Sequence, residues 1–328
     1  MSSRIAQPFY RRWRRALIDA QCREGASPDA PCHQWLGEPG PPRDDVCIVM
    51  MIKDEADIID LNLAWHRRLG FRRFIILDNG STDGSRYKLL AFRARSPEAE
   101  LLIVDDPTVA YFQNRKTTGL ASMAGKLWPQ LRWIFPLDAD EFVCVRDDLA
   151  SATGRLENAK ATTVYIPYYN AHQLGDGSPC DETVPFYERQ IYHRARVEDF
   201  KVAFRNLPIE TVEMGNHDVA FYSGWPRLTS GLKAGLVYRH YPARSFAHLK
   251  SKIVNGGRAL AATDYPETTG FHWRDWYRRY QAEGDAVLRA IYDGMRIAPN
   301  EAVRSPFPLD ALIEFPGTES EPKRSDLR

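Results

Sequence analysis

The stretch Trp133-Ile134-Phe135-Pro136-Leu137-Asp138-Ala139-Asp140-Glu141-Phe142 decides the reading of this chain. Five apolar residues in a row read as a buried strand, and the acids that follow at once read as its end. At a strand end, residues i and i+2 point to one side. Asp138 and Asp140 are therefore expected side by side at a solvent-accessible edge. Two such carboxylates suit Mn²⁺ or Mg²⁺, hard cations that prefer oxygen. A bare Asp-x-Asp is common in acidic chains, and its place between two apolar runs is what sets this one apart.

Upstream, the pattern alternates. Val46 to Ile52 reads as a strand, with Asp54 as a cap for the next helix. Ile58, Leu61, Trp65 and Leu69 fall on one face of that helix, and Gly70 ends it. Phe74 to Leu77 is a second strand, Asp78 to Gly84 a turn before a helix, and Leu101 to Val104 a third strand. A helix covers Gln113 to Leu127 and leads to the Trp133 strand. Strands alternating with helices predict an α/β fold with a doubly wound, mostly parallel sheet. Ligands on such sheets sit at the carboxyl ends of the strands. Polar clusters stand at three of those ends: Lys53-Asp54-Glu55, Asp78-Asn79 and Asp138 to Glu141.

Downstream of about residue 150 the alternation stops. Val164 to Tyr169 is a strand candidate, and residues 170–185 read as a loop. Arg244 to Ala262 and Trp273 to Met295 read as helices. The chain thus divides into an extension (1–45), an α/β domain (46–260), a helical region (261–315) and a polar, disordered tail (316–328).

Bulk properties narrow the function. A formal net charge of +1 over 328 residues gives no global field for nucleic acid. No apolar run approaches the roughly 20 residues of a membrane span. The N-terminus lacks the apolar core of a signal peptide. A cytosolic chain is expected. Residues 5–20 pair Arg11, Arg12, Arg14 and Arg15 with Phe9, Trp13 and Leu17, which suits either a solvated helix or peripheral contact with the inner face of a membrane. The five scattered cysteines read as free thiols.

Other residues carry chemistry in context. Asp78 can accept from a nucleobase N–H or a ribose hydroxyl. Arg115 and Lys116, in Gln113-Asn114-Arg115-Lys116, can reach an anionic ligand. His240 is a candidate third metal ligand, and the cations after it, Arg244, Lys250 and Lys252, can clamp phosphates. Gly215-Asn216-His217-Asp218 matches a metallophosphoesterase tetrapeptide, but the Asp-x-His and Gly-His-x-His that such enzymes also need are missing. Three other functions stay open: that phosphoesterase, a nucleotidyltransferase, and a non-catalytic module that binds sugar nucleotides.

Taken in order, Lys53-Asp54-Glu55, Trp65 to Phe71, Leu77 to Gly84 and Leu137 to Phe142 resemble family 2-like glycosyltransferases of the GT-A fold. Lys201 to Arg205, Gly215-Asn216-His217 and His240 to Ser245 look like the same bacterial branch. The resemblance implies a nucleotide-sugar donor, with a UDP-sugar favoured, and a glycan or lipid-linked acceptor. It implies a metal at Asp138 and Asp140, with His240 and His217 as further ligand candidates. It implies nucleotide contacts near Glu55 and Asp78, and inversion at the anomeric carbon. Inversion needs one general base. Asp218 is the first choice, with Asp199 and Glu182 as the others. The branch commonly has Asn where Asp54 stands.

Overall fold

The structure is a computed structural model that describes residues 31–222 and 226–304. The proposed membrane-facing segment 5–20 and the tail 316–328 lie outside the described residues. Four strands come first: β1 (Arg43–Ile52), β2 (Phe71–Asp78), β3 (Glu100–Asp105) and β4 (Trp133–Leu137). They pair in parallel in the order β4-β1-β2-β3. Helices α1 (Ile59–Arg68), α2 (Ser85–Arg95) and α3 (Gln113–Leu127) connect them.

Strand β1 shows why the sheet is central. Val46, Ile48, Met50 and Ile52 enter one apolar cluster, with Leu63 and Trp65 of α1 and Leu89 and Phe92 of α2. Cys47 and Val49 enter another, with Leu120, Ala121 and Ala124 of α3. Alternate side chains of a strand point to opposite faces, so a continuous apolar run marks a strand buried on both.

Beyond β4 the sheet becomes mixed. β5 is Glu141–Val145, and α4 (Leu149–Asn158) leads from it to β6 (Thr163–Gln173). β7 (Gln190–His193) and β8 (Phe200–Arg205) follow. β8 lies antiparallel between β4 and β6, and β7 antiparallel on the far side of β6. β9 (Ile209–Val212) and β10 (Val219–Phe221) form a separate ribbon. β11 (Leu228–Ser230) joins β6 in parallel. β12 (Leu236–His240) pairs with β5 and β6, and β13 (Ala302–Val303) with β7.

The C-terminal helices are α5 (Phe246–Ala261), α6 (Phe271–Glu283) and α7 (Asp285–Gly294). They share a third apolar cluster, built from Leu249, Ile253, Val287, Leu288 and Tyr292 with Trp273, Trp276 and Tyr277. The single helix expected from Trp273 to Met295 is two, because the chain turns at Gly284 (φ 73°, ψ −154°). β6 also runs through residues 170–173, which were expected to begin a loop. Asp54 does not cap α1. It sits at φ 55°, and its carboxylate instead accepts from Thr82 and Asn255. Among the described residues no helix is long and apolar enough to cross a membrane.

Candidate active site

Asp138 to Glu141 form a tight turn between β4 and β5 rather than a strand end. The Glu141 N–H donates to the Asp138 carbonyl at 3.1 Å, and the Asp138 N–H donates back to Glu141 Oε2 at 3.1 Å. Helix α1 pins this turn from below. Asn62 Nδ2 donates to the carbonyls of Ala139 and Glu141 at 2.9 and 2.8 Å. Trp65 Nε1 donates to the Val143 carbonyl, and His66 Nε2 accepts from the Val143 N–H. His66 can accept there because burial pushes its imidazole down to about 3 and keeps it neutral. Three polar side chains buried on one helix face thus fix the backbone that carries the two aspartates.

The aspartates differ in environment. Asp138 keeps 31% of its side chain exposed. Its Oδ1 accepts from Gln113 Nε2 at 3.0 Å and Asn216 Nδ2 at 3.3 Å, and its Oδ2 from Lys201 Nζ at 3.2 Å. Asp140 is buried, with 1% of its surface exposed, so the expected solvent-accessible edge holds only for Asp138. Burial opposes its charge. Lys252 Nζ at 2.6 Å, with the Arg244 guanidinium behind it, outweighs that and holds the carboxyl well below the usual range.

Beneath Asp138 lies a buried ion pair. Lys201 Nζ sits 2.5 Å from Glu141 Oε1 and donates to the Gly215 carbonyl at 2.7 Å. Burial pushes the Glu141 carboxyl up, and Lys201 at 2.5 Å pulls it back toward the charged form. The same carboxylates hold Lys201 well above its ordinary value, although burial works the other way.

His240 stands over Asp140. Asn170 Oδ1 lies 2.8 Å from its Nδ1, and a carbonyl oxygen only accepts, so Nδ1 carries the proton. The lone pair is left on Nε2, 3.5 Å from Asp140 Oδ2. Burial holds this imidazole below its ordinary value, against Asp140. Two acceptors converging this closely fit a shared cation, and the Asn170 bond that fixes the ring is the usual outer support of a ligating histidine. Among the described residues no group of three or more His, Cys, Asp or Glu is ready to enclose a metal alone. Mg²⁺ and Mn²⁺ do not need one, since one or two carboxylates plus substrate phosphates suffice.

These groups line a cleft of about 710 Å³ at the carboxyl ends of β1, β2 and β4. Lys53, Asp54, Glu55 and Asn79 line it on the β1–β2 side. Asn170 and His172 line it on the β6 side, and residues of α5 and α6 also line it. Asp199 lies on it with its side chain exposed. His217 also faces it. Its Nδ1 is 2.7 Å from the Phe200 carbonyl, and its ring folds back over Gly215, where a Cβ would come within 2.5 Å. That contact explains the Gly-Asn-His spacing. Asn216 offers Asp138 an N–H donor rather than an oxygen ligand, the wrong group for a two-metal phosphoesterase centre.

Several expected residues lie elsewhere. Asp218 is buried and accepts from the Tyr165 hydroxyl and the Val219 N–H, away from the cleft lining. Glu182 accepts from the Phe246 N–H at the start of α5. Arg115 stacks over Phe112, and Lys116 pairs with Asp106 at 2.7 Å. Asp78 is buried, and its Oδ1 closes the turn by accepting from the Ser81 N–H at 2.9 Å. Its neighbour Asn79 faces the cleft instead. Arg244 is buried beneath the site, where it donates to Asp57 and Glu55. Burial raises Glu55 to about 7, and Arg244 pulls it back. Roles for Lys201, Asn62, Glu141 and Asn170 were missed. The available signal was polarity out of place: a lysine inside Phe-Lys-Val-Ala-Phe, and an asparagine on the apolar face of α1.

No family model matches the chain, and no curated protein matches it in sequence. Among the solved structures similar to this chain at a distance are these two. One is the crystal structure of S. aureus TarS, with a TM-score of 0.30, 11% identity, and coverage of 72% of this chain and 43% of that one. The chain thus spans less than half of TarS. The other is the mannosyltransferase PcManGT from Pyrobaculum calidifontis in complex with GDP-Man and Mn²⁺. Its TM-score is 0.34, with 13% identity over 92% of this chain and 90% of that one. At such TM-scores the likeness carries no argument about mechanism.

Proposed function

We propose that the chain is a metal-dependent, inverting glycosyltransferase. It moves a sugar from a nucleotide-diphosphate sugar, with a UDP-sugar favoured, to a hydroxyl of a glycan or lipid-linked acceptor. One observation carries this reading. The Asp138–Asp140 turn, His240, Lys201 and Lys252 converge on one cleft at the carboxyl ends of the parallel strands, where such sheets take nucleotides.

Asp138, Asp140 and His240 would hold Mn²⁺ or Mg²⁺, with His217 beside them. A bound cation would supply Lewis-acid neutralisation of the leaving diphosphate. The protein's own groups do the rest. Lys53, Asp54 and Asn79 bind the nucleoside end, and Asp78 holds the turn that presents Asn79. Glu55 stays between Arg244 and the cleft, so Arg244 positions it rather than touching the donor. Lys252 and Lys201 fix the aspartates in one geometry before substrate arrives, which saves reorganisation during the reaction.

Asp199 is assigned as the base that takes the acceptor proton. Of the three carboxylates considered, it alone lines the cleft. A transfer assay with UDP- and GDP-sugars and Mn²⁺ tests the assignment. Asp199→Asn should lower kcat by roughly 10²–10⁴-fold, the usual contribution of a general base, with nucleotide binding unchanged. Wild-type turnover in this variant removes Asp199 from the role. Hydrolysis of an aryl phosphate without sugar transfer would favour the phosphoesterase.

A further inference from the structure

Helix α6 turns two indoles toward the cleft. Trp273 and Trp276 are half-buried and both line it. Their rings meet edge to face, with centroids 5.7 Å apart and planes at 72°. His272 flanks both, at 5.4 and 5.6 Å, and lines the cleft too.

Helix α5 explains why the indoles lie in the wall. At Gly257 a Cβ would fall 2.3 Å from Tyr277, and at Gly256 one would touch Trp273 at 3.7 Å. The close approach at Gly257 lets α6 lie directly on α5, while Gly256 leaves ordinary contact distance to Trp273. The same helix ties the indoles to the reacting centre. Lys252 reaches Asp140 at 2.6 Å, while its Nζ lies 6.0 Å from the Trp273 ring centroid.

Strand order separates the two ends of the cleft. The Asp138–Asp140 turn leaves β4. On one side β1 and β2 bring Lys53, Asp54 and Asn79, a polar end suited to a nucleoside. On the other side β6 brings Asn170 and His172, and Met295 joins the lining there. Met295 and Trp276 pack against the same apolar cluster, and Trp273 packs on Gly256, next to Asn255, whose amide donates to Asp54. Indole faces bordered by imidazole and amide groups combine an apolar plane with hydrogen-bonding partners. A pyranose needs that pairing, since its C–H face lies on the ring while its hydroxyls are hydrogen-bonded at the edge. An acyl chain would leave the polar groups without partners.

We propose that Trp273 and Trp276 form the acceptor subsite, a stacking platform for a pyranose. The group that receives the sugar is then itself a sugar ring, rather than the phosphate of a lipid carrier. This rests on the sugar-transfer reading above.

Saturation-transfer NMR on the full chain tests it without donor. The probes are methyl β-glucoside, methyl β-galactoside, methyl N-acetyl-β-glucosaminide and methyl α-mannoside, with geranyl phosphate as the sugarless control. At least one pyranoside should receive saturation on its C–H protons. Trp273→Ala and Trp276→Ala should each weaken its binding roughly three- to tenfold, the scale of one aromatic contact. Trp276→Phe should keep most of it. Calorimetry with UDP and GDP plus Mn²⁺ should give nucleotide affinities within about twofold of the parent, which also shows that each variant is folded. If an alanine variant does not fold, Trp276→Phe and Trp273→Phe decide. Loss of pyranoside contact in a folded Phe variant contradicts the platform.

Three other results overturn the proposal. They are no pyranoside contact in the parent chain, tryptophan-dependent binding of geranyl phosphate alone, or loss of nucleotide with pyranoside contact intact. The last would make the indoles a nucleobase platform. Pyranoside binding without any nucleotide binding would keep the platform and remove the sugar-transfer reading.

Discussion

Lys252 donates to Asp140 at 2.6 Å, joining helix α5 to a turn 112 residues earlier. The bond ties the C-terminal helices to the edge of the sheet, and it keeps a buried carboxylate charged where burial alone would neutralise it. Asp140→Asn therefore does more than remove a proposed metal ligand. It leaves the Lys252 ammonium and the Arg244 guanidinium short of a counter-charge. Urea denaturation should show a loss of about 3 kcal/mol, the low end for breaking a buried pair, because Lys252 keeps 26% of its side chain exposed. A loss under about 0.5 kcal/mol, typical of a surface pair, would show that the bond does not hold the helix.

The pH dependence of that loss has a definite sign. The folded-state pKa of Asp140 is depressed, so its contribution is complete above the unfolded value of about 3.9. The contribution disappears as pH falls through the lower folded value. The stability gap between the parent and Asp140→Asn should narrow as pH falls below about 4, where the parent carboxyl begins to lose its charge. Denaturation midpoints in a pH series measure it. A gap that widens in acid would mean that the carboxyl is not held low.

Lys201 and Glu141 should behave as one unit. Lys201→Met leaves Glu141 buried without its cation and should cost about 3–5 kcal/mol. Adding Glu141→Gln should recover part of that, with an interaction energy of roughly 1–3 kcal/mol in the double-mutant cycle. Strict additivity would show that the 2.5 Å contact has no energetic role.

Asp54 stands at φ 55°, which Asn and Asp tolerate better than other side chains. Asp54→Asn should be tolerated, and the carboxamide keeps one oxygen for Thr82. Asp54→Ala should lose about 1–2 kcal/mol, from a side chain less tolerant of left-handed backbone together with the lost bonds to Thr82 and Asn255. Thermal unfolding of the two variants checks this, and equal Tm values would contradict it.

Local pattern revealed the parallel half of the sheet and concealed most of the site. The bounds of α3 and β4 coincide with the segments expected for them, roughly Gln113 to Leu127 and Trp133 to Leu137. Those elements are buried on faces that composition alone specifies. Residues 138–141 were harder. An acidic run after a strand reads as an exposed end, and only β12 arriving from residue 236 buries Asp140 beneath Tyr241 and Lys252. The mixed half was hidden for the same reason. β8 is inserted between β4 and β6 by long-range pairing, and this brings Lys201 under Asp138. Asp218 sits in a glycine-bearing turn that looks exposed in sequence. The fold points its carboxylate at Tyr165 instead of the cleft.

In the proposed function, Asp138 and its neighbours hold a divalent cation that in turn holds a nucleoside diphosphate. Isothermal titration of UDP and GDP, with Mn²⁺ and with EDTA, tests it most directly on the parent chain and on Asp138→Asn. Asp138 is the better probe because 31% of its side chain is exposed and the fold does not rest on it alone. One nucleotide should bind with Mn²⁺, and its affinity should fall at least roughly tenfold, about 1.4 kcal/mol, in EDTA and in the variant. Equal affinity with Mn²⁺, with EDTA and in Asp138→Asn, or no binding of either nucleotide, would contradict the account.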